Sequence, residues 1–238
     1  MEFGACPVAR HEPFVTFSLL VRDPETGQLG GAAATGSLCV GGWVLRGDPA
    51  SGLSASQGSL PSVMWGIDVL ALMTAGVPAP DAVARIVASD PGRGQRQLAA
   101  LDPSGRSGAF TGEDASAEAG VLQAENMVAA GNMLVSDAVL SSLVSTFSSF
   151  EATLVARLFA ALRAAADAGG DRRGLRSAAV IVVNSERPPL SLRIDRSDRP
   201  LDDLGDLLDE ATSGDYARWV GHLPTPTAPH RAKPFEPS

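Results

Sequence analysis

Residues 16–35 read TFSLLVRDPETGQLGGAAAT, and they set the architecture of the chain. The first seven are mainly apolar and prone to form a strand, and Asp23 opens a strong turn signal that ends at Gly27. A second strand is predicted from Gln28 to Thr35. It has almost no bulky side chains, and such strands usually mark the close approach of another layer or of a ligand. The stretch therefore predicts a β-hairpin against which something packs closely.

Outside this hairpin, blocks of further strands alternate with blocks of helices. Apolar spacing and capping residues predict helices over 62–75, 80–88, 138–147, 150–167 and 201–212. Strands are predicted over 39–45, 52–57, 97–101, 108–111, 119–123, 126–130, 177–183 and 190–195. This order favours antiparallel sheets with helices outside over a βαβ alternation. We expect an α+β fold in which two sheets are stacked between two helical layers.

The 238 residues, of which 45% are hydrophobic, can bury one sizeable core. Neither an internal repeat nor a linker of domain-separating length interrupts the sequence. We therefore predict a single domain over residues 16–222. Residues 1–15 are interpreted as an N-terminal extension that is absent from or removed in the mature protein, and residues 223–238 as a Pro-rich disordered tail.

The net charge of −8 argues against nucleic acid and anionic membranes as partners, because both require a basic face. The first fifteen residues contain charges and prolines but no continuous apolar core, so they do not resemble a signal peptide or a membrane span. We expect a cytoplasmic protein. Its many Ala, Gly, Arg and Pro residues are what GC-rich codons produce, which is typical of many bacterial genomes.

The positions of histidine and lysine exclude several kinds of catalytic site. His11, His222 and His230 lie outside the predicted core elements, and Lys233 is the single lysine. A Ser-His-Asp triad, a Cys-His pair, a histidine zinc site and a Schiff-base lysine are therefore not expected. The two cysteines cannot build a disulfide framework and form no CxxC motif. We predict neither a metal nor another cofactor.

A polar loop joins the helix over 150–167 to the strand over 177–183. Gly169 and Gly170 are suited to end the helix, and Asp171 and Arg172 follow them. One interpretation is a solvated turn held by an Asx-type hydrogen bond. The other is a ligand loop in which Arg172 or Arg176 binds a substrate carboxylate through two hydrogen bonds.

Six short motifs are spread over about residues 16–195, and each is weak by itself. They are Thr16-Phe17-Ser18, residues 22–27 (RDPETG), 88–93 (ASDPGR), 110–114 (FTGED), 131–134 (GNML) and 169–179 (GGDRRGLRSAA). In combination they resemble the bacterial family known as domain of unknown function 1028, which belongs to the N-terminal-nucleophile (Ntn) hydrolase-like folds. The resemblance implies a four-layer αββα sandwich and raises Thr16 as a candidate nucleophile.

In Ntn hydrolases the nucleophile is the first residue of the mature chain, and its own α-amine acts as the base. An α-amine with a pKa of about 8 needs no histidine for this role. In this sequence Thr16 follows Val15, and an amide nitrogen cannot accept the proton. Three accounts remain open: autocatalytic cleavage before Thr16, a natural extension on a non-catalytic protein, or translation that starts at the Val15 codon. The alternative to a nucleophile is a plain strand threonine.

Several other polar residues are candidates for substrate binding or for support of the nucleophile. Arg46 and Asp48, in a predicted polar turn over 46–49, could supply the cation and the amide donors that other Ntn enzymes place beside the nucleophile. Gln57 and Asn132 could donate to an oxyanion or could be satisfied core amides. The remaining candidates are Asp23, Asp171, Arg172 and Ser177.

Two hypotheses follow. The first is an Ntn-type amidohydrolase that cleaves a C–N bond of an acidic or peptide-like small metabolite. The second is a non-catalytic module of the same fold that binds a ligand or assembles into homo-oligomers. The scattered tryptophans Trp43, Trp65 and Trp219 do not suggest a binding platform, and we predict that they lie in the core.

Overall fold

A computed structural model describes residues 16–115, 118–170, 174–232 and 234–235. The predicted extension over 1–15 lies outside these residues. The strands are β1 (Thr16–Arg22), β2 (Leu29–Thr35), β3 (Leu45–Asp48), β4 (Gly52–Gly58), β5 (Arg96–Leu101), β6 (Ser107–Thr111), β7 (Gly120–Ala124), β8 (Met127–Asn132), β9 (Ser177–Val183) and β10 (Leu190–Ile194). The helices are α1 (Val40–Trp43), α2 (Val63–Thr74), α3 (Ala79–Ala88), α4 (Ala138–Ser149), α5 (Leu154–Asp167), α6 (Pro200–Ala211) and α7 (Gly214–Val220).

The strands form two antiparallel sheets. Sheet 1 has the order β10-β9-β2-β1-β8-β7, and sheet 2 has the order β3-β4-β5-β6. The predicted hairpin pairs β1 with β2 from Thr16 opposite Thr35 to Arg22 opposite Leu29. It therefore supplies the two central strands of sheet 1.

Three apolar clusters separate the layers. Leu19, Leu158 and Leu204 belong to the cluster between sheet 1 and helices α4, α5 and α6. A second cluster lies between the two sheets, and a third lies between sheet 2 and helices α2 and α3. The α+β four-layer αββα sandwich predicted from the sequence is confirmed.

The side chains of β1 alternate between two different environments. Phe17 and Leu19 face the helices over sheet 1, whereas Leu20 packs between the sheets. Because successive side chains of a strand point to opposite faces, Thr16 and Ser18 also face sheet 2. The first residue of the strand is thus placed at one end of the space between the sheets.

The small residues of β2 permit a close approach of α5. A Cβ on Gly30 would lie 2.7 Å from Leu158 Cδ1 and 3.1 Å from Leu154 Cδ2. The helix therefore packs almost onto the strand backbone. The prediction that this strand meets another layer closely is confirmed, and the layer is a helix.

The predicted strand over 39–45 is wrong, because residues 40–43 form a single helical turn. Cys39 has a φ of 61°, and a Cβ on Gly41 would lie 2.7 Å from Arg193 Cγ. The two consecutive glycines allow this turn to pack tightly against β10. The predicted polar turn over 46–49 is also wrong in part, since β3 continues to Asp48.

The prediction that the three tryptophans lie in the core is correct for one of them and wrong for two. Trp65 is 4% exposed, whereas Trp43 and Trp219 are 53% and 41% exposed. Trp43 lies on the short turn α1, and Trp219 lies on α7, a helix that the sequence did not predict. Among the described residues, no helix has the length and apolar character needed to cross a membrane.

Candidate active site

A row of polar residues crosses sheet 1 at one end of the space between the sheets. The strand register places Thr16 opposite Asn132 on one side and opposite Thr35 on the other, and Thr35 opposite Ser177. Directly opposed residues share a face of the sheet. The row therefore points toward sheet 2, where the neighbouring positions along the strands are mostly apolar.

Thr16 is held at the centre of this row. Its side chain is almost fully buried, with 6% relative exposure for the residue, and its hydroxyl donates to Thr35 Oγ1 over 3.2 Å. Gln57 Nε2 on sheet 2 donates to the Thr16 carbonyl over 3.5 Å. Backbone pairing on both sides and a contact from the facing sheet fix the position of the residue.

A network of buried amides connects the two sheets below the row. Gln97 Nε2 lies 2.9 to 3.1 Å from three acceptors, Thr111 Oγ1 and the carbonyls of Gly120 and Gly131. Its Oε1 accepts from Gln57 Nε2 over 2.6 Å. Because the three acceptors fix which end of Gln97 carries the NH2 group, they also fix the direction of the whole network.

The orientation of the Gln97 amide also fixes the orientations of Gln57 and Asn132, the other two amides of the network. Gln57 turns its Oε1 toward Ser18, whose hydroxyl donates to it over 2.9 Å. Asn132 donates from Nδ2 to Gln97 Oε1 over 3.4 Å, and its Oδ1 has no hydrogen-bond partner within the part of the chain that the structure describes. Asn132 is 2% exposed, and a buried acceptor without a donor is energetically unfavourable.

A cavity of about 250 Å³ opens beside this network. Asn132 and Gln97 form part of its wall, together with Ser59, Arg96 and Asp114. Asn132 is the cross-strand neighbour of Thr16, which does not itself line the cavity, so one residue separates the cavity from the candidate nucleophile.

The arginine in the cavity wall is fully engaged by the protein. Arg96 forms an ion pair with Asp90 and donates from Nε to the Leu60 carbonyl over 3.0 Å. Its guanidinium also lies 5.7 Å from the centre of the Trp65 ring. Desolvation disfavours the Asp90 carboxylate, but hydrogen bonds from the Gly92 N–H, Arg96 and Trp65 outweigh it and lower the pKa of Asp90.

We expect Asp90→Asn to destabilise the protein at neutral pH and to have little effect in strong acid. The folded protein lowers the pKa of Asp90, so this carboxylate stabilises the fold above its unfolded pKa. That contribution is lost as the pH falls through the folded pKa. Urea unfolding of both proteins at several pH values measures the difference. A difference that stays constant down to acid pH would contradict the assignment.

Several residues predicted for the site lie elsewhere. Arg46 lies beside Gly66 of α2 and donates to the carbonyls of Trp43 and Gly42 in α1 over 2.9 Å each, and burial lowers the pKa of its guanidinium. Asp48 accepts from the amides of Ala50 and Ser51 in the β3–β4 turn. The structure therefore does not bring this cation or this carboxylate to Thr16.

Asp23 and Ser177 each stabilise a turn or loop through hydrogen bonds to the backbone. Asp23 Oδ1 accepts from the amides of Glu25 and Thr26 at the far end of β1 from Thr16. Ser177 lies in the polar row, where its hydroxyl donates to the Ser37 carbonyl over 2.8 Å and accepts from the Val40 amide over 3.1 Å. It thus holds the segment that follows β2.

The loop after α5 is described only in part. Asp171 and Arg172, both predicted to bind a ligand, lie outside the described residues. Gly169 and Gly170 close α5 as predicted, with their amides donating to the carbonyls of Ala166 and Ala165. Gly170 lies near the Phe17 ring, so this end of the loop is on the helical side of sheet 1.

Sequence reasoning missed Gln97, Thr35 and Asp114 as members of the site. A signal for Gln97 was present, since it and Gln57 are uncharged polar residues within otherwise apolar or small predicted strands. The register places the two glutamines directly opposite each other. Only the pairing of the strands shows that they form one network.

The four layers, the two antiparallel sheets and a threonine at the start of the first strand define an Ntn-hydrolase-like αββα sandwich. The model of the family of unknown function DUF1028 matches residues 16–204. The chain belongs to this family, as the resemblance of its motifs predicted.

Two solved structures and the curated proteins complete the comparison. The crystal structure of protein SPO2555 from Silicibacter pomeroyi, a DUF1028 protein, is 46% identical with a TM-score of 0.89, and the match covers 92% of this chain and all of that one. Eukaryotic HslV from Trypanosoma brucei is 14% identical with a TM-score of 0.37, over 71% of this chain and 99% of that one. No curated protein matches the chain.

Proposed function

We propose that the protein is an Ntn-type amidohydrolase that cleaves a C–N bond of a small or peptide-like metabolite, with Thr16 as the nucleophile. The observation that carries this proposal is the position of Thr16. It is the first residue of a central strand, its hydroxyl is held by Thr35, and its cross-strand neighbour Asn132 lines a cavity. The hydroxyl thus lies one residue away from a space large enough for a small ligand.

The chemistry requires a free α-amine on Thr16. The amine takes the proton of the hydroxyl as Oγ1 attacks the carbonyl carbon of the substrate, and the C–N bond then breaks as the proton passes to the departing nitrogen. Water hydrolyses the resulting ester and restores the hydroxyl. The chain needs no histidine or lysine for these steps.

Gln57 and Asn132 are better suited to positioning than to oxyanion binding. Gln57 Nε2 is directed at Gln97 Oε1 over 2.6 Å and at the Thr16 carbonyl. Asn132 Nδ2 also points to Gln97 Oε1. Both amides therefore hold β1 and its neighbours in register, so that the Thr16 hydroxyl keeps one orientation.

Activity by this mechanism depends on exposing Thr16. The family match begins at residue 16, which supports a functional unit that starts there. Cleavage before Thr16 and initiation at the Val15 codon would both produce this terminus, whereas the intact peptide bond would block the base.

The test compares the chain from Met1, the form that begins at Thr16, and the Thr16→Ala variant of that form. Each is treated with a β-lactone, an electrophile that acylates a nucleophilic threonine, and then analysed by mass spectrometry. We expect one acyl group on Thr16 of the second protein and none on the third. Native-source protein should also begin at Thr16. Absence of labelling in both short forms would favour the non-catalytic ligand-binding or assembly module.

A further inference from the structure

We propose that the solvent-facing side of helix α2 is the surface through which two copies of this chain form a two-fold symmetric dimer. This α2 face comprises four exposed apolar residues, Leu60, Met64, Ile67 and Ala71. The inference goes beyond the proposed hydrolysis, and it holds whether or not Thr16 is a catalytic residue.

Helix α2 is apolar on all sides although it belongs to an outer layer of the sandwich. Its 12 residues include a single charged side chain, Asp68. The side toward sheet 2 is buried, yet Met64 and Ile67 on the opposite side are 55% and 46% exposed. A helix that is hydrophobic all round is normally covered all round. Within the described part of the chain, no other helix of ten or more residues exposes a large apolar side chain to this extent.

The exposed apolar area around α2 is of the size that a dimer interface requires. Leu60 precedes the helix and is 55% exposed, and Trp43 on the neighbouring turn α1 is 53% exposed. Arg46 joins this turn to α2, since it donates to the Trp43 carbonyl and its Nη1 would lie 3.3 Å from a Cβ on Gly66. These two side chains and the two exposed ones of α2 together offer about 400 Å² of apolar surface. A stable interface buries roughly 800 Å² on each partner, of which a little over half is apolar.

The α2 face is complementary to itself in shape. The bulky Met64 lies in the first half of the helix, and the small Ala71 lies two turns later on the same side. In an antiparallel pair whose two-fold axis passes between Ile67 and Asp68, Met64 of each copy lies opposite Ala71 of the other. Each methionine then fills the space that the alanine leaves open, as ridges fill grooves in helix packing. A self-complementary surface is what a two-fold dimer needs, which favours a second copy over an unrelated protein.

Two opposite charges at the border of the α2 face also fit this arrangement. Asp68 and Arg85 are exposed, and neither forms an ion pair with another described residue. Helices α2 and α3 are joined by residues 75–78, and Asp68 lies seven positions before this connection and Arg85 seven after it. Both are therefore about 10 Å from the connection. The two-fold axis brings Asp68 of each copy toward Arg85 of the other, which offsets the repulsion between the two Asp68 carboxylates.

Sedimentation equilibrium of the full chain tests the proposal at protein concentrations up to about 100 μM. We expect twice the mass of one chain at the upper end of this range, with dissociation on dilution. The mass of a single chain at every concentration would overturn the inference and leave the α2 face to a different protein. Sedimentation measures association alone, so its outcome is independent of the β-lactone labelling of Thr16.

A matched pair of substitutions locates the interface. Ile67→Lys places an ammonium group beside the two-fold axis and should raise the dissociation constant at least about 100-fold. Phe150→Lys makes the same kind of change at a residue that is 47% exposed between α4 and α5, and it should leave the dissociation constant unchanged. Both positions are exposed in the single chain, so thermal unfolding of the monomers should be close to that of the wild type. Equal weakening by the two variants, or none by Ile67→Lys, would contradict the assignment.

Exchange of the two border charges shows whether they meet between copies. Asp68→Arg and Arg85→Asp should each raise the dissociation constant about tenfold or more, because each places like charges opposite one another. An equimolar mixture of the two variants should recover the wild-type affinity, since every opposed pair in the mixed dimer has opposite signs. Contacts within one chain cannot be restored by mixing. A mixture that associates no better than either variant alone would overturn the proposed arrangement.

Discussion

Replacing Thr16 with alanine in the form that begins at residue 16 is expected to lower amide hydrolysis at least about a thousandfold. In the proposed reaction the Thr16 hydroxyl supplies the atom that bonds to the substrate, and no neighbouring group can take over that bond in the same geometry. Removal of a nucleophile from other hydrolases lowers turnover by factors of this size or more. The loss should appear in kcat, since the substitution leaves the proposed binding cavity intact.

Two variants distinguish the loss of a nucleophile from damage to the site. Thr16→Ser keeps a hydroxyl and should retain measurable turnover. Thr35→Val removes the group that accepts from the Thr16 hydroxyl but leaves the nucleophile, so a smaller decrease is expected. The free energy of unfolding of Thr16→Ala should fall by no more than about 2 kcal/mol, because only one hydroxyl and one methyl group are removed. Undiminished turnover in Thr16→Ala would refute the role.

The fold was predictable because its signals are local. The hairpin over 16–35 has a turn sequence at its centre, and the helix α5 has apolar residues at helical spacing that all lie in the core. The small side chains of β2 also indicated a close neighbour correctly. The first failure lies at residues 39–45, where two glycines packed against β10 replace the expected strand with a helical turn.

The site was predictable only in part, because its geometry depends on strand register. Arg46 was expected beside the nucleophile, but β3 includes it, and Leu45 already occupies the face between the sheets. Alternation along the strand therefore turns Arg46 toward α2. Thr16 and Asn132 are 116 positions apart in sequence and become neighbours only through the pairing of β1 with β8.

The amide network is the second place where a single change should have a large effect. Replacing Gln97 with glutamate keeps the size of the side chain but removes the NH2 group that faces three acceptors. Gln97 is 1% exposed, so the new carboxyl group would be buried against oxygen atoms. We expect the free energy of unfolding at pH 7 to fall by at least about 3 kcal/mol.

The pH dependence of this variant has a defined sign. Burial raises the pKa of the introduced carboxyl group above its unfolded value of about 4.3, so the folded state holds the proton more tightly. Stability relative to the wild type is then lost as the pH rises above the unfolded pKa. The deficit of Gln97→Glu should be smallest near pH 4 and should grow toward pH 7. Chemical denaturation at several pH values measures it.

The control is Gln123→Glu, which makes the same change on an exposed strand residue. Gln123 Nε2 donates to the carbonyl and the hydroxyl of Ser107 at the surface, where water can replace both bonds. We expect a loss below about 1 kcal/mol with little dependence on pH. Equal losses in the two variants would mean that Gln97 does not organise the space between the sheets. A large, pH-dependent loss confined to Gln97 would identify it as a residue that joins the two sheets.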